Sequence, residues 1–79
     1  MKKQQPIFDP ATHYRIELQG HIDLDWLQSF DSSAEIIVDE TNQMGEFTVL
    51  NVHTDQAGIV GLVRRLHGLG ITILQLQIV

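Results

Sequence analysis

The sequence predicts an α+β domain with four strands and two helices in the order β-α-β-β-α-β. Apolar and polar residues alternate in four short segments, which is the period of a strand with one buried face. Two segments with helical spacing separate these strands, and each begins at an aspartate that can cap a helix. Two strand–helix–strand units joined by a hairpin indicate the ferredoxin-like arrangement, a four-stranded antiparallel sheet with both helices on one face.

The first strand and the first helix are predicted from the alternation that starts at His13 and from a helix cap at Asp23. Tyr14, Ile16 and Leu18 share one face of the strand, which ends before Gly20. Ile22 and Leu27 have the spacing of a hydrophobic staple around the cap. Two aromatic side chains four positions apart share a helix face and are expected in the core: Trp26 and Phe30.

The middle of the chain predicts a hairpin of two strands, over residues 34–40 and 46–52. The expected inward residues of its first strand are Ala34, Ile36 and Val38, and the expected outward ones are Glu35, Ile37 and Asp39. Residues 41–45 form a connection of hairpin length. In the second strand apolar residues occupy both parities, which predicts either a bulge near Val49–Leu50 or two covered faces.

The segment from Thr54 to Val79 predicts a capped helix, a glycine stop and a terminal strand. The helix begins after Asp55 and ends before Gly70, and its apolar stripe is Ile59, Leu62, Val63, Leu66 and Leu69. In the strand, Leu74, Leu76 and Ile78 are expected to point inward, and Ile73, Gln75, Gln77 and Val79 outward. The predicted topology makes this strand an edge strand beside the first one.

Length and composition limit the classes of function. Seventy-nine residues allow one domain, predicted over residues 13–79 and preceded by an arm over residues 1–12. A formal charge of −5 argues against nucleic acid and anionic membrane surfaces as partners. The chain has no cysteine, and it has no apolar run long enough for a membrane helix. Because Gln4, Gln5 and Pro6 interrupt any signal-peptide core, we expect a cytoplasmic protein.

The sequence shows no catalytic or metal-binding motif. His13, His21, His53 and His67 lack the spacing of a metal site, so we expect neither metal nor cofactor. No serine lies in a nucleophile motif, and the carboxylates Asp39 and Glu40 lie beside a turn. His21 with Asp23 and Asp25 is the best local cluster, although helix capping already explains Asp23. We therefore expect a protein that is not an enzyme.

The predicted outer surface favours self-association. Several side chains on the open sheet face and on the terminal edge strand are apolar or uncharged, and an edge of this kind can pair with another chain. We therefore predict a homodimer that acts through contacts with another protein, whose identity the sequence does not indicate. The predicted interface residues are Ile37, Ile73, Gln75, Gln77 and Val79.

Two resemblances add to these predictions. The segment Tyr14-Arg15-Ile16-Glu17-Leu18-Gln19-Gly20-His21-Ile22-Asp23, with Trp26 and Phe30 and the later Asp55-Gln56-Ala57 and Leu69-Gly70, resembles a group of short uncharacterised bacterial proteins. That likeness covers residues 14–76 and implies no activity.

The second likeness is to ACT regulatory domains. The run Asp55-Gln56-Ala57-Gly58-Ile59-Val60, followed by Leu69-Gly70-Ile71, is similar to the ACT turn and helix that meet an amino-acid effector at a subunit interface. The expected proline is Ala57 here, and the segment opens the second helix rather than the first. This resemblance implies, as the alternative function, a small-ligand sensor with Asp55, Gln56, Ala57, Gly58 and Ile59 at its site.

Overall fold

The computed structural model describes residues 11–79, and it confirms the predicted order of elements. The elements are β1 (Thr12–Gln19), α1 (Leu24–Phe30), β2 (Glu35–Asn42), β3 (Gly45–Thr54), α2 (Gln56–Gly68) and β4 (Thr72–Ile78). The four strands form one antiparallel sheet in the order β2-β3-β1-β4. β4 is therefore an edge strand beside β1, as predicted. The first ten residues of the predicted arm lie outside the described part, and Thr12 belongs to β1.

The core lies between the helices and one face of the sheet. β1 and β3 pair without interruption from Thr12↔Thr54 to Gln19↔Phe47, so their alternate residues share faces along the whole length. The buried side chains of the core come from both central strands, both helices and the connections on either side of α1: Ile16, Leu18, Ile22, Leu27, Ala34, Leu50, Val52, Ile59, Leu62 and Leu66. Trp26 and Phe30 are partly buried and pack against this cluster, as predicted.

Both helices begin at the predicted caps. The Asp23 carboxylate accepts a hydrogen bond from the Asp25 backbone N–H, and the Asp55 carboxylate accepts one from Gly58 at 2.8 Å. α2 ends before Gly70, which has φ +80°. The expectation that Leu69 continues the apolar stripe is wrong. Leu69 is the C-cap residue and is 59% exposed, because the helix stops before this side chain can reach the core.

The hairpin between β2 and β3 is tighter than predicted. Asn42 pairs with Gly45, which leaves Gln43 and Met44 as a two-residue turn. The Asn42 carboxamide oxygen accepts a hydrogen bond from the Met44 backbone N–H at 2.8 Å. Gly45 has φ +106°, a conformation that side chains with a Cβ rarely adopt. Both strands are therefore longer than expected at this end.

Of the two alternatives predicted for β3, two covered faces are confirmed and a bulge within β3 is not, because the extra residues lie in the two edge strands. In β2, Ile36 pairs with Leu50 and Val38 pairs with Val49, so Ile37 is an extra residue. This bulge turns Val38 to the face away from the helices and Asp39 to the helix side, the reverse of the prediction. Val49 is only 8% exposed on the open face, so both faces of β3 carry buried residues.

β4 contains the second bulge, which corrects the predicted orientation of its first residues. Glu17 pairs with Gln75 and Leu18 pairs with Ile73, so Leu74 is the extra residue. Ile73 was predicted outward but shares a face with Leu18 and packs against the core. Leu74 was predicted inward but is exposed, and it lines a shallow depression with Phe47 on the open face.

Candidate functional site

The free edge of β4 is the most distinctive surface of the described chain. The Val79 backbone N–H donates to the His13 carbonyl oxygen at 3.0 Å, so Val79 directs its hydrogen-bonding groups toward β1. Because these groups alternate in direction along a strand, Gln77 and Gln75 also face β1, whereas Ile78 and Leu76 direct theirs outward. In the part of β4 that follows Gln75, two residues thus present donors and acceptors at the open edge of the sheet.

The same two residues carry exposed aliphatic side chains. Leu76 pairs with Ile16 and Ile78 pairs with Tyr14, so both lie on the helix side of the sheet, as predicted. They are nevertheless 42% and 67% exposed, because none of the elements described for residues 11–79 covers the outer side of β4. Backbone hydrogen-bonding capacity and apolar surface therefore coincide on this edge.

α2 borders this edge with further apolar surface. An open groove between α2 and β4 is lined by Val63, Arg64, His67 and the residues from Gly70 to Ile73. Val60 lies one turn before Val63 on the same side of the helix and is exposed. Since α2 begins at the sheet end where β4 finishes, Val60 lies toward the Ile78 end of this groove.

Charge is divided unevenly between the two sides of the domain. Residues 11–55 carry nine acidic residues and one arginine, whereas residues 56–79 carry two arginines and no acid. Because α2 and β4 lie together at one side of the sheet, that side is uncharged or weakly basic, and the acids gather toward β2 and α1. Most of the negative charge is thus remote from the β4 edge.

The opposite edge of the sheet has a different character. β2 bears Glu35, Asp39 and Glu40, and the bulge at Ile37 interrupts its ladder. Charged side chains and bulges are the usual protection of an exposed edge strand against pairing with another chain. β4 has a bulge at Leu74 but no charged residue from Thr72 to Ile78. The two edges are therefore protected to different degrees.

The predicted interface residues occupy different parts of this surface. Gln75 and Gln77 lie on the open face beside Glu17 and Arg15. The exposed Val79 follows β4 directly and bonds to His13. Ile73 faces the helix side and lines the groove against α2. Ile37 is exposed at the bulge of β2, on the other edge of the sheet.

The residues predicted for the ligand-sensing alternative lie at the start of α2. Gln56 and Ala57 are exposed, and Ile59 is buried in the core. The Asp55 carboxylate already accepts the Gly58 backbone N–H. A Cβ atom at Gly58 would lie 1.9 Å from the Thr54 hydroxyl oxygen, so glycine allows the strand end to approach the helix closely. Asp55, Gly58 and Ile59 therefore each have a role within the fold.

One pair of side chains was not anticipated from the sequence. His13 and His53 face each other across β1 and β3, and their rings stack with centroids 4.2 Å apart and planes inclined by 10°. Both are exposed on the open face. The spacing of these histidines along the chain gives no indication of the pair, since only the strand register brings them together.

Asp31 holds the strand end beside this pair. Its carboxylate accepts hydrogen bonds from the His53 backbone N–H at 2.8 Å and from both the backbone and the hydroxyl of Ser33. Partial burial acts to raise the pKa of Asp31, but these hydrogen bonds and the nearby His53 ring outweigh it, so the pKa is lowered. Asp31 is therefore an ionised anchor between the α1–β2 connection and β3.

The comparisons with known proteins agree with a domain of uncharacterised role. Residues 13–77 match the family model described as a domain of unknown function, DUF8691. The chain belongs to this family. No curated protein and no solved structure matches it. The DUF8691 match extends from β1 nearly to the end of β4, in agreement with the expected resemblance to an uncharacterised group, while the likeness to ACT domains stays a prediction.

A second polar cluster of this DUF8691 domain lies around His21. His21 is exposed, and its Nδ1 lies 3.9 Å from an Asp39 carboxylate oxygen, while Asp23 caps α1. An open groove beside them is lined by Trp26, Leu69 and Ile71, among others. Within residues 11–79, no group of three or more His, Asp or Glu side chains is placed to hold a metal ion, and no helix has the length and apolar character to cross a membrane.

Proposed function

We propose that this DUF8691 domain is a non-catalytic protein-interaction module that works as a homodimer, with β4 of one copy pairing to β4 of the other. The observation that carries the proposal is the free edge of β4. Its outward backbone groups belong to Leu76 and Ile78, whose exposed side chains would be buried in the same event. Addition of a strand to an exposed sheet edge is a recurrent mode of protein association.

A second copy is the partner that best fits this edge. Pairing of two β4 strands leaves the acid-rich parts of both molecules at opposite ends of a continuous sheet. Pairing through β2 would instead place Glu35, Asp39 and Glu40 against the same acids of the other copy. If β4 of one copy paired with β2 of another, the complex would still have one free β2 edge and one free β4 edge. Further copies could then add without limit. The two-fold β4 arrangement is closed and minimises repulsion.

The direction of the backbone groups suggests a register for the pair. If Leu76 of one copy pairs with Ile78 of the other, all outward groups of these residues form hydrogen bonds, and Gln77 lies on the two-fold axis opposite its own copy. The aliphatic side chains then meet on the helix side, flanked by Val60 and Val63 of both molecules. The Gln77 carboxamides meet on the open face, where they can bond to each other.

Association is tested by sedimentation velocity across micromolar concentrations. The proposal predicts a concentration-dependent shift from a species of 9.0 kDa to one of twice that mass. A strict monomer over this range would remove the basis of the proposal. Moderate salt should leave the dimer intact, because apolar burial and strand pairing contribute most of the association and charges add little at this edge.

The register is tested by cross-linking, since the chain contains no native cysteine. Opposed residues of a non-hydrogen-bonded pair have Cα atoms about 4.5 Å apart, which a disulfide can span. We expect Gln77→Cys to form a disulfide dimer under mild oxidation. Gln75→Cys is the matched control on the same strand and face, because its partner would be Val79 and its own copy would be too distant. Equal cross-linking of both variants would reject this register.

Paired copies would join their open faces into one larger surface, which we infer contacts the protein partner. Phe47 and Leu74 supply apolar area there, with Met44 at the rim of the same depression. No described contact favours amino-acid sensing at Asp55–Ile59 over this function. It stays a prediction with its own test, given below.

A further inference from the structure

We propose that His13 and His53 form a binding site for a divalent late transition-metal ion of the Zn²⁺, Ni²⁺ and Cu²⁺ class. The two rings are neighbours across the sheet, with centroids 4.2 Å apart, and both side chains are exposed to solvent. Imidazole is the nitrogen ligand that these ions prefer in proteins. The pair lies on the open face, the opposite face from the Leu76 and Ile78 side chains that the dimer would bury.

The backbone holds the two histidines in a favourable geometry. The His53 N–H donates to Asp31, and the His13 carbonyl accepts from Val79, so both residues direct their hydrogen-bonding groups away from each other. They therefore form a non-hydrogen-bonded pair, in which Cα atoms are only about 4.5 Å apart and side chains are closest. Two strands and the Asp31 anchor position the pair before any ion arrives.

Small rotations of the side chains suffice for chelation. Zinc–nitrogen bonds are about 2.0–2.1 Å, so two nitrogens on one ion lie about 3 Å apart. The stacked rings can reach this separation by turning their edges together while the Cα positions stay fixed. The Asp31 carboxylate is engaged with Ser33 and the His53 backbone, which leaves the two imidazoles as the protein ligands.

A site with only two protein ligands is open and binds its ion exchangeably. The remaining coordination positions are open to water or to a donor from another molecule, so the ion exchanges readily. Three protein ligands or more are usual in zinc enzymes and structural sites, so we expect weaker affinity here. The overall charge of −5 favours a cation at any accessible ligand set.

The test is isothermal titration of the untagged full chain with zinc chloride, followed by the same titration of three variants. We expect saturable binding, weakened about tenfold or more in His13→Asn and in His53→Asn, because each loses one of two ligands. His67→Asn is the matched control, an exposed histidine on α2, and should bind zinc like the unmodified chain. Magnesium chloride should give no binding, since Mg²⁺ prefers oxygen ligands.

Three results would overturn the proposal. The first is the absence of saturable binding at zinc concentrations up to about 1 mM. The second is unchanged affinity in both strand variants, and the third is an equal loss in His67→Asn. Circular dichroism checks that each variant is folded, and glutamine replacements at His13 and His53 provide a second set if asparagine disturbs the strands. In two-dimensional NMR spectra, zinc should shift the His13 and His53 ring signals first.

Discussion

Replacement of Ile78 by alanine should weaken dimerisation without unfolding the monomer. Complete burial of an isoleucine side chain contributes about 1.5–3 kcal/mol, so covering the 67% of Ile78 that is exposed would contribute about 1–2 kcal/mol. Each dimer contains two copies of the residue. The Ile78→Ala dimer should therefore lose about 2–4 kcal/mol, which corresponds to a dissociation constant roughly 30- to 1,000-fold higher.

Sedimentation equilibrium at several concentrations measures this constant. Leu69→Ala is the matched control, because Leu69 is also an aliphatic residue with 59% exposure but lies in the groove between α1 and the end of α2. We expect the control to dimerise like the unmodified protein. The reasoning is refuted if Ile78→Ala keeps the original dissociation constant, or if both variants weaken the dimer equally.

Three further predictions concern stability and ligand binding. Gly61→Ala should stabilise the fold by up to about 1 kcal/mol in urea denaturation, since nothing lies within 4 Å of the added Cβ. Gly58→Ala should destabilise the fold in the same assay, because the added Cβ would collide with Thr54. Asp31→Asn should cost about 1 kcal/mol at pH 7. The folded-state pKa of Asp31 is lowered, so the ionised carboxylate stabilises the fold, and this stabilisation is lost as the pH falls below that pKa. The difference in unfolding free energy between the two proteins should therefore vanish in acid. A difference that stays constant down to pH of about 2 would contradict an origin in the ionised carboxylate. A melting-temperature screen against amino acids tests the sensing alternative, which predicts about 2.7 kcal/mol of stabilisation at a hundredfold excess over Kd; unchanged melting across the panel counts against it.

The order of elements and the edge position of β4 were predictable because their signals are local. Asp23 and Asp55 mark the helix starts by capping chemistry, and Gly70 marks a helix end by its left-handed backbone. Alternation of apolar residues located all four strands. Once the order was known, the handedness and connection rules left few topologies, and the ferredoxin-like one was observed.

The orientation of side chains in the edge strands was not predictable in the same way. A bulge shifts every following residue to the other face, and its position depends on the strand across the ladder. Strict alternation therefore misplaced Val38 in β2 and both Ile73 and Leu74 in β4. The imperfect pattern in β3 left a bulge and two covered faces as alternatives, and the sequence could not decide between them, because the open-face burial of Val49 depends on its neighbours in adjacent strands.

The histidine pair was missed for a related reason. His13 and His53 belong to different strands, and only the register His13↔His53 places them side by side. A shift of one residue would have sent one ring to the opposite face of the sheet. Sequence spacing identifies metal ligands when they share a helix or a turn, but ligands contributed by separate strands require the pairing to be known.

The bulge at Leu74 also sets the reach of any incoming strand. Only the five residues from Gln75 to Val79 continue the regular ladder beyond it, a length of about 17 Å. A longer guest strand gains no further ladder bonds there, and the bulge at Ile37 interrupts the far margin of the sheet in the same way. If β4 pairs with a second copy as proposed, this geometry would therefore limit the pairing to one short strand and would oppose growth into fibrils.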